Sequence, residues 1–131
     1  MRIQKAFTLI ELLVVVSLIG ILATLVIANM NSARERARDA TRKSDLRNIQ
    51  TALRLYYNDN SSYPTKATFD AALGATWLPY MNLLPNDPLT SQSYTYTYTD
   101  SDNYTLFACL ENASDDKAVL VGTCNKYEVK P

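Results

Sequence analysis

The hydrophobic pattern of this 131-residue chain changes its period twice. From Phe7 to Ala28 the residues are almost all apolar, and Glu11 is the sole charge. From Asn29 to about Tyr57 no Gly or Pro interrupts the chain. There Leu46, Ile49, Leu53 and Tyr56 recur at the three- and four-residue spacing of one helix face. Met30, Ala33, Ala37 and Ala40 form a smaller stripe before them, small enough for close helix–helix contact. Later, Tyr94-Thr95-Tyr96-Thr97-Tyr98-Thr99 alternates strictly, which predicts a strand with tyrosines on one face and threonines on the other.

These patterns predict an α+β fold, with a long N-terminal helix packed on a small antiparallel β-sheet head. The helix stops at the turn-rich Asn58-Asp59-Asn60-Ser61-Ser62, before Tyr63-Pro64. Thr65 to Thr90 is irregular, with a short helix over 68–73 capped by Thr68 and with Trp77 and Leu78 in the core. Leu84-Pro85-Asn86-Asp87-Pro88 reads as a turn. Strands follow at 94–99, 104–110, 117–121 and 126–129, joined by short polar turns such as Asp100-Ser101-Asp102-Asn103. Sequential strands with such turns read as a meander. The tyrosine face offers stacking chemistry for sugars or bases, but half-burial against the helix is the favoured reading.

At ~1.5 Å per residue, Phe7 to Ala28 extends about 33 Å, enough to cross a ~30 Å hydrocarbon core. A carboxylate inside that span costs at least ~3 kcal/mol, so Glu11 needs a partner. The residues Ala6-Phe7-Thr8-Leu9-Ile10-Glu11-Leu12-Leu13-Val14-Val15-Val16 closely resemble the type IV prepilin signature. That resemblance covers Lys5 to about Ile27, and Leu46 to Pro64 more loosely. It implies a pilin-like fold in four parts. Residues 1–6 are a leader, 7–28 a transmembrane and assembly helix, 29–57 an amphipathic continuation into the head, and 58–131 the β-rich head. It also implies cleavage after Ala6 by a prepilin peptidase, N-methylation at Phe7, and a helical homo-oligomeric filament. In that filament Glu11 pairs with the amine at Phe7 of a neighbouring subunit.

The chain departs from the family in two places. The leader ends in Ala6 where Gly is usual. The proline common late in the apolar run is missing from Val26-Ile27-Ala28-Asn29, so any kink falls to Gly20. A secretory signal peptide is the competing reading of the segment. Against it, Asn29-Met30-Asn31 leads into helical pattern with no small-residue cleavage site.

Zero net charge hides a split: residues 1–54 balance at +5 and residues 55–131 at −5. Arg34, Arg36, Arg38, Arg42, Lys43, Arg47 and Arg54 are interleaved with Glu35, Asp39 and Asp45. Basic residues beside a span usually mark its cytoplasmic side. The prepilin resemblance overrides that rule, because the leader must face the cytoplasmic peptidase. A solvated or intersubunit face is the favoured reading of the block, ahead of lipid headgroup contact, with DNA last. The like-charge i,i+4 pairs Glu35/Asp39 and Arg38/Arg42 favour charge pairing between subunits.

The turn at 84–88 followed by a tyrosine strand also looks like the major pseudopilins of type II secretion systems. Those heads commonly use a calcium loop. Here Cys109 and Cys124 imply a disulfide in an exported head. Its loop of ~15 residues is worth about 3 kcal/mol in the chain-entropy model. Asp100, Asp102, Asp115 and Asp116 are the candidate calcium ligands, with a solvated turn favoured over a site. No other cofactor is expected. With no histidine, and only Gly20, Gly74 and Gly122, the usual catalytic triads, phosphate loops and zinc sites have no basis.

The expected function is a structural, non-enzymatic filament subunit. It waits as a single-pass precursor in the cytoplasmic membrane with its head exported. It then enters an extracellular or periplasmic filament through a pilus or secretion assembly platform. The cysteines favour a surface pilus. The alternatives are a major pseudopilin of a type II secretion system and a monomeric membrane-anchored binding module.

Overall fold

A computed structural model describes residues 7–131. The expected leader, Ala6 included, lies outside the described residues. The chain divides into two compact units, Met1–Arg34 and Glu35–Pro131. Helix α1 (Leu9–Asn60) contributes its first part to one and its second part to the other.

In the first unit, α1 is helical through Gly20, so the missing proline is not replaced by a break there. Its large apolar residues from Leu9 to Ile27 are all exposed.

The second unit buries the core. Leu46, Ile49, Ala52 and Leu53 of α1 pack with Tyr94, Tyr96, Tyr104, Leu106 and Ala108 of the sheet side. The expected stripe is therefore the core face, with Tyr56 half-buried and stacked on Trp77 at 5.5 Å. Helix α1 runs three residues past the expected Tyr57. It ends where Ser61 turns to φ +53° and its N–H bonds the Tyr57 carbonyl at 2.8 Å, a left-handed C-terminal cap. Helix α2 (Lys66–Ala72) starts earlier than expected. Thr65, not Thr68, is the cap, because its extended backbone lets its side chain accept from the Thr68 N–H. Phe69 of α2 stacks on Tyr96 at 4.3 Å and closes the core.

Strands β1 (Thr95–Asp100), β2 (Asn103–Leu110), β3 (Val119–Val121) and β4 (Cys124–Val129) form one antiparallel sheet, in the order β1-β2-β4-β3. This corrects the expected sequential meander. β4 inserts between β2 and β3, because Asn112–Ala118 is long enough to carry the chain past the place of a neighbouring strand. β3 then returns to β4 through the tight Gly122-Thr123 turn, where Gly122 takes φ +62°. Cys109 of β2 and Cys124 of β4 form a disulfide that ties this insertion together.

The tyrosine face is core: Tyr94 and Tyr96 are buried and Tyr98 is half-buried. Leu78 corrects another expectation, being 67% exposed beside buried Trp77. Trp77 and Met81 pair as an antiparallel bridge, and Leu78 opens the tight turn that joins them, on the surface of the head.

Buried tyrosines need partners for their hydroxyls. Tyr96 donates to the Pro64 carbonyl at 2.8 Å, whereas the buried Tyr104 hydroxyl has no partner. Tyr96→Phe is therefore expected to destabilise the head by about 0.5–1.5 kcal/mol, and Tyr104→Phe to leave it unchanged or stabilised. Urea unfolding followed by Trp77, the one tryptophan, checks the pair. Equal losses would contradict the assignment.

Candidate assembly site

The exposed helix of the first unit begins with a capping box, a Thr-x-x-Glu pattern that satisfies otherwise free N–H groups. The Thr8 N–H donates to Glu11 Oε2 at 2.9 Å, and the Thr8 hydroxyl donates to the same oxygen at 2.7 Å. In return the Glu11 N–H donates to Thr8 Oγ1 at 3.3 Å. The spacing of Thr8 and Glu11 carried this signal in the sequence, where Glu11 reads as a charge that needs the amine at Phe7 of a neighbouring subunit. Glu11 thus has a local role in a single chain. Phe7, the other expected assembly residue, sits just before the cap and is exposed. A shallow apolar cleft forms beside it between Phe7, Ile10, Glu11, Val14 and Val15.

In the second unit the arginine block is not one solvated face. Continuing the core stripe backward by four and then three residues from Leu46 reaches Arg42 and Asp39. Both are buried, and Arg42 is 0% exposed. A guanidinium there needs carboxylates around it. Arg42 donates bidentately to Asp87 through Nε and Nη2, both at 2.8 Å. Its Nη1 donates to Asp39 Oδ1 at 2.8 Å and to Glu111 Oε1 at 2.7 Å. Asp39 accepts in turn from the backbone N–H groups of Glu111 at 3.0 Å and Asn112 at 2.8 Å. Arg38 forks onto the two oxygens of Glu111 at 2.7 and 2.5 Å, and Lys43 pairs with Asp115.

Three carboxylates from three parts of the chain thus meet on one buried arginine. The reading of the 84–88 turn missed Asp87, whose side chain turns inward to Arg42 while also accepting the Leu89 N–H at 2.8 Å. Arg34, Arg36, Arg47 and Arg54 remain exposed, as the solvated reading expects.

The hydrogen bonds from Arg38 hold the Glu111 carboxyl down at about 2. Burial opposes this, and the bond from Arg42 adds to it. Hydrogen bonding to Asp87 likewise raises Arg42 above its ordinary value, against burial.

The candidate calcium ligands lie on two separate loops. Asp100 accepts from Asn103 and the Asp102 N–H, and Asp102 accepts from the Tyr57 hydroxyl at 2.6 Å. Asp115 is engaged by Lys43, and Asp116 is exposed. Among the described residues no cluster of three or more metal-ligating side chains forms.

Comparison with known proteins bears on both units. Residues 1–27 match the family described as the prokaryotic N-terminal methylation motif. Residues 29–118 match the family described as type II secretion system (T2SS), protein G. Several similar curated proteins are named type II secretion system core protein G. That of Escherichia coli (strain K12) is 35% identical over 96 residues, which is 65% of this chain and 66% of the relative. That of Klebsiella michiganensis is 36% identical over 96 residues, 65% of this chain and 68% of the relative. That of Pseudomonas aeruginosa is 44% identical over 64 residues, 49% of this chain and 45% of the relative. The chain thus spans from under half to about two thirds of the length of these relatives.

Removing Arg42 strands several carboxylates in a buried place. Arg42→Met is expected to cost the head ~3–5 kcal/mol. Arg36→Ala, on the exposed face, should stay within about 0.5 kcal/mol. Denaturant unfolding followed by Trp77 fluorescence reads both, and a small loss for Arg42→Met would show that the node is not holding the head.

The node also sets an acid limit. A carboxyl lowered from its ordinary value of 4.5 to about 2 stabilises the fold above 4.5, and that contribution is lost as pH falls towards 2. The melting temperature of the head should drop across this window, and Glu111→Gln should flatten that part of the curve. An unchanged slope would remove Glu111 from the account.

Proposed function

The chain belongs to the type II secretion system protein G family, and from that premise we propose that it is the repeating subunit of a pseudopilus. The family is one of structural subunits rather than enzymes. The N-terminal motif and its apolar helix make the chain a membrane-anchored precursor. Of the expected roles, the secretion alternative is favoured over the surface pilus, despite the cysteines, because residues 29–118 match protein G.

One observation carries the mechanism: the large apolar residues of α1 from Leu9 to Ile27 are all exposed, and in the first unit no other described residue covers them. A bilayer covers them before assembly and the helices of other subunits cover them afterwards. In this reading a prepilin peptidase cuts after Ala6, and the Phe7 amine is freed and methylated. The precursor spans the cytoplasmic membrane with its head exported, and the secretion platform adds it to the fibre. Glu11 then exchanges its local bonds to Thr8 for the positive amine at Phe7 of a neighbouring subunit. That pair neutralises the carboxylate inside an apolar bundle, where an unpaired charge is costly. Arg34 does not serve, lying more than twenty residues further along the same helix, over ~30 Å at 1.5 Å per residue.

The capping box supplies a clean test. Glu11→Gln keeps an acceptor for the Thr8 N–H and hydroxyl but carries no charge. Thr8→Ala keeps the charge and loses the cap. Filament yield, counted by electron microscopy, should fall sharply for Glu11→Gln and Glu11→Val and stay near wild type for Thr8→Ala. The opposite order would make Glu11 a helix cap only.

A further inference from the structure

We propose that the exposed β3 edge of one head packs against the Leu78–Leu83 loop of the next copy in the fibre, which rests on the filament reading above. Among the described residues of the second unit, the exposed large aliphatic residues are Leu55, Leu78, Leu83, Val119, Leu120 and Val121. Leu55 stands alone on the outer face of α1. The other five fall into two groups on different parts of the head. Val119, Leu120 and Val121 are 66%, 69% and 56% exposed. They make up an outer strand of the sheet, with one backbone edge unpaired. Proteins ordinarily blunt such an edge with charges, prolines or a covering element, and a bare apolar one marks a contact. Leu78 and Leu83, 67% and 56% exposed, flank the Trp77–Met81 bridge.

Two unlike apolar patches on one molecule pair head to tail, which gives an open helical polymer rather than a closed dimer. The charges around the patches agree. Beside β3 a groove is lined by Lys117, Val119, Val121, Lys126 and Glu128. Lys126 is paired with Glu128, and among the described residues Lys117 has no ion pair. Beside the loop, the Asn60 side chain donates to the Tyr80 hydroxyl at 3.1 Å, which brings the end of α1 and Asp59 next to it. Among the described residues Asp59 has no ion pair either. Asp59 also sits in the last turn of α1, which holds no basic residue, where the helix dipole favours a cation. A second head presenting Lys117 alongside β3 supplies that cation.

Filaments of the full chain carrying Leu83→Cys with Leu120→Cys, treated with a short bis-maleimide, test the contact. Cys109 and Cys124 are joined to each other and do not react. The doubly substituted chain should give a ladder of linked dimers, trimers and longer species, and each single variant should give none. In parallel, Leu120→Glu should lower filament yield about tenfold, the scale of one lost apolar anchor, with the melting of the head unchanged. Filaments at wild-type yield from Leu120→Glu together with no ladder would overturn the proposal and leave the filament reading standing. Linkage of Leu120→Cys alone would overturn it in favour of edge-to-edge pairing of two β3 strands. Failure of the wild-type chain to form any filament would remove the filament reading and this contact with it.

Discussion

An apolar helix whose large side chains are exposed from Leu9 to Ile27 governs the rest of this molecule. Burying apolar surface is worth roughly 25 cal/mol per Å². The Leu9–Ile27 stretch leaves its leucines, isoleucines and valines exposed. Such a helix is stable only in a bilayer or among other apolar helices. That constraint turns the single charge at Glu11 from a defect into a selector. In one chain Thr8 engages it at 2.9 and 2.7 Å. In a bundle, a cation brought by a neighbour gives it a partner that no residue of its own helix provides.

The head is built on the opposite principle, because it satisfies its own chain. Its core closes from three directions: the α1 stripe, the inner face of the sheet, and Phe69 with Trp77. At the end of the stripe nearer the apolar helix the core becomes ionic. Arg42 fastens α1 to Asp87 of the loop and to Glu111 just after β2. Buried ion pairs add little net stability over apolar packing, but they fix which groups must meet. Here they hold an irregular loop and the end of a strand in register with the helix. The disulfide fixes β4 against β2 in the same head. The surface left over, including the edge strand β3, is free to meet other subunits.

Much of this was legible in the sequence. The period-2 tyrosine run gave both a strand and its buried face, and Leu46, Ile49 and Leu53 gave the helix side of the core. The buried node was not legible as read, since a charged block invites a solvated interpretation. Its signal was the core spacing carried back from Leu46 to Arg42 and Asp39, with opposite charges at two stripe positions. The partners Asp87 and Glu111 lie 45 and 69 residues away from Arg42, and no local pattern announces them. The strand order was hidden for a similar reason. Short turns favour neighbours in sequence, whereas the 112–118 segment lets β4 take the inner place. Leu78 was misplaced because adjacency to Trp77 was read as shared burial, when Leu78 begins the surface turn that links Trp77 to Met81.

The central claim is that this helix is freed at its start to enter a bundle of its own kind. Intact mass spectrometry of subunits recovered from assembled filaments tests it most directly. The account predicts a chain that begins at Phe7 with one added methyl group and has the Cys109–Cys124 disulfide closed. Assembled subunits that still carry Met1 to Ala6 would contradict it, because their Phe7 nitrogen is locked in a peptide bond and holds no charge for Glu11.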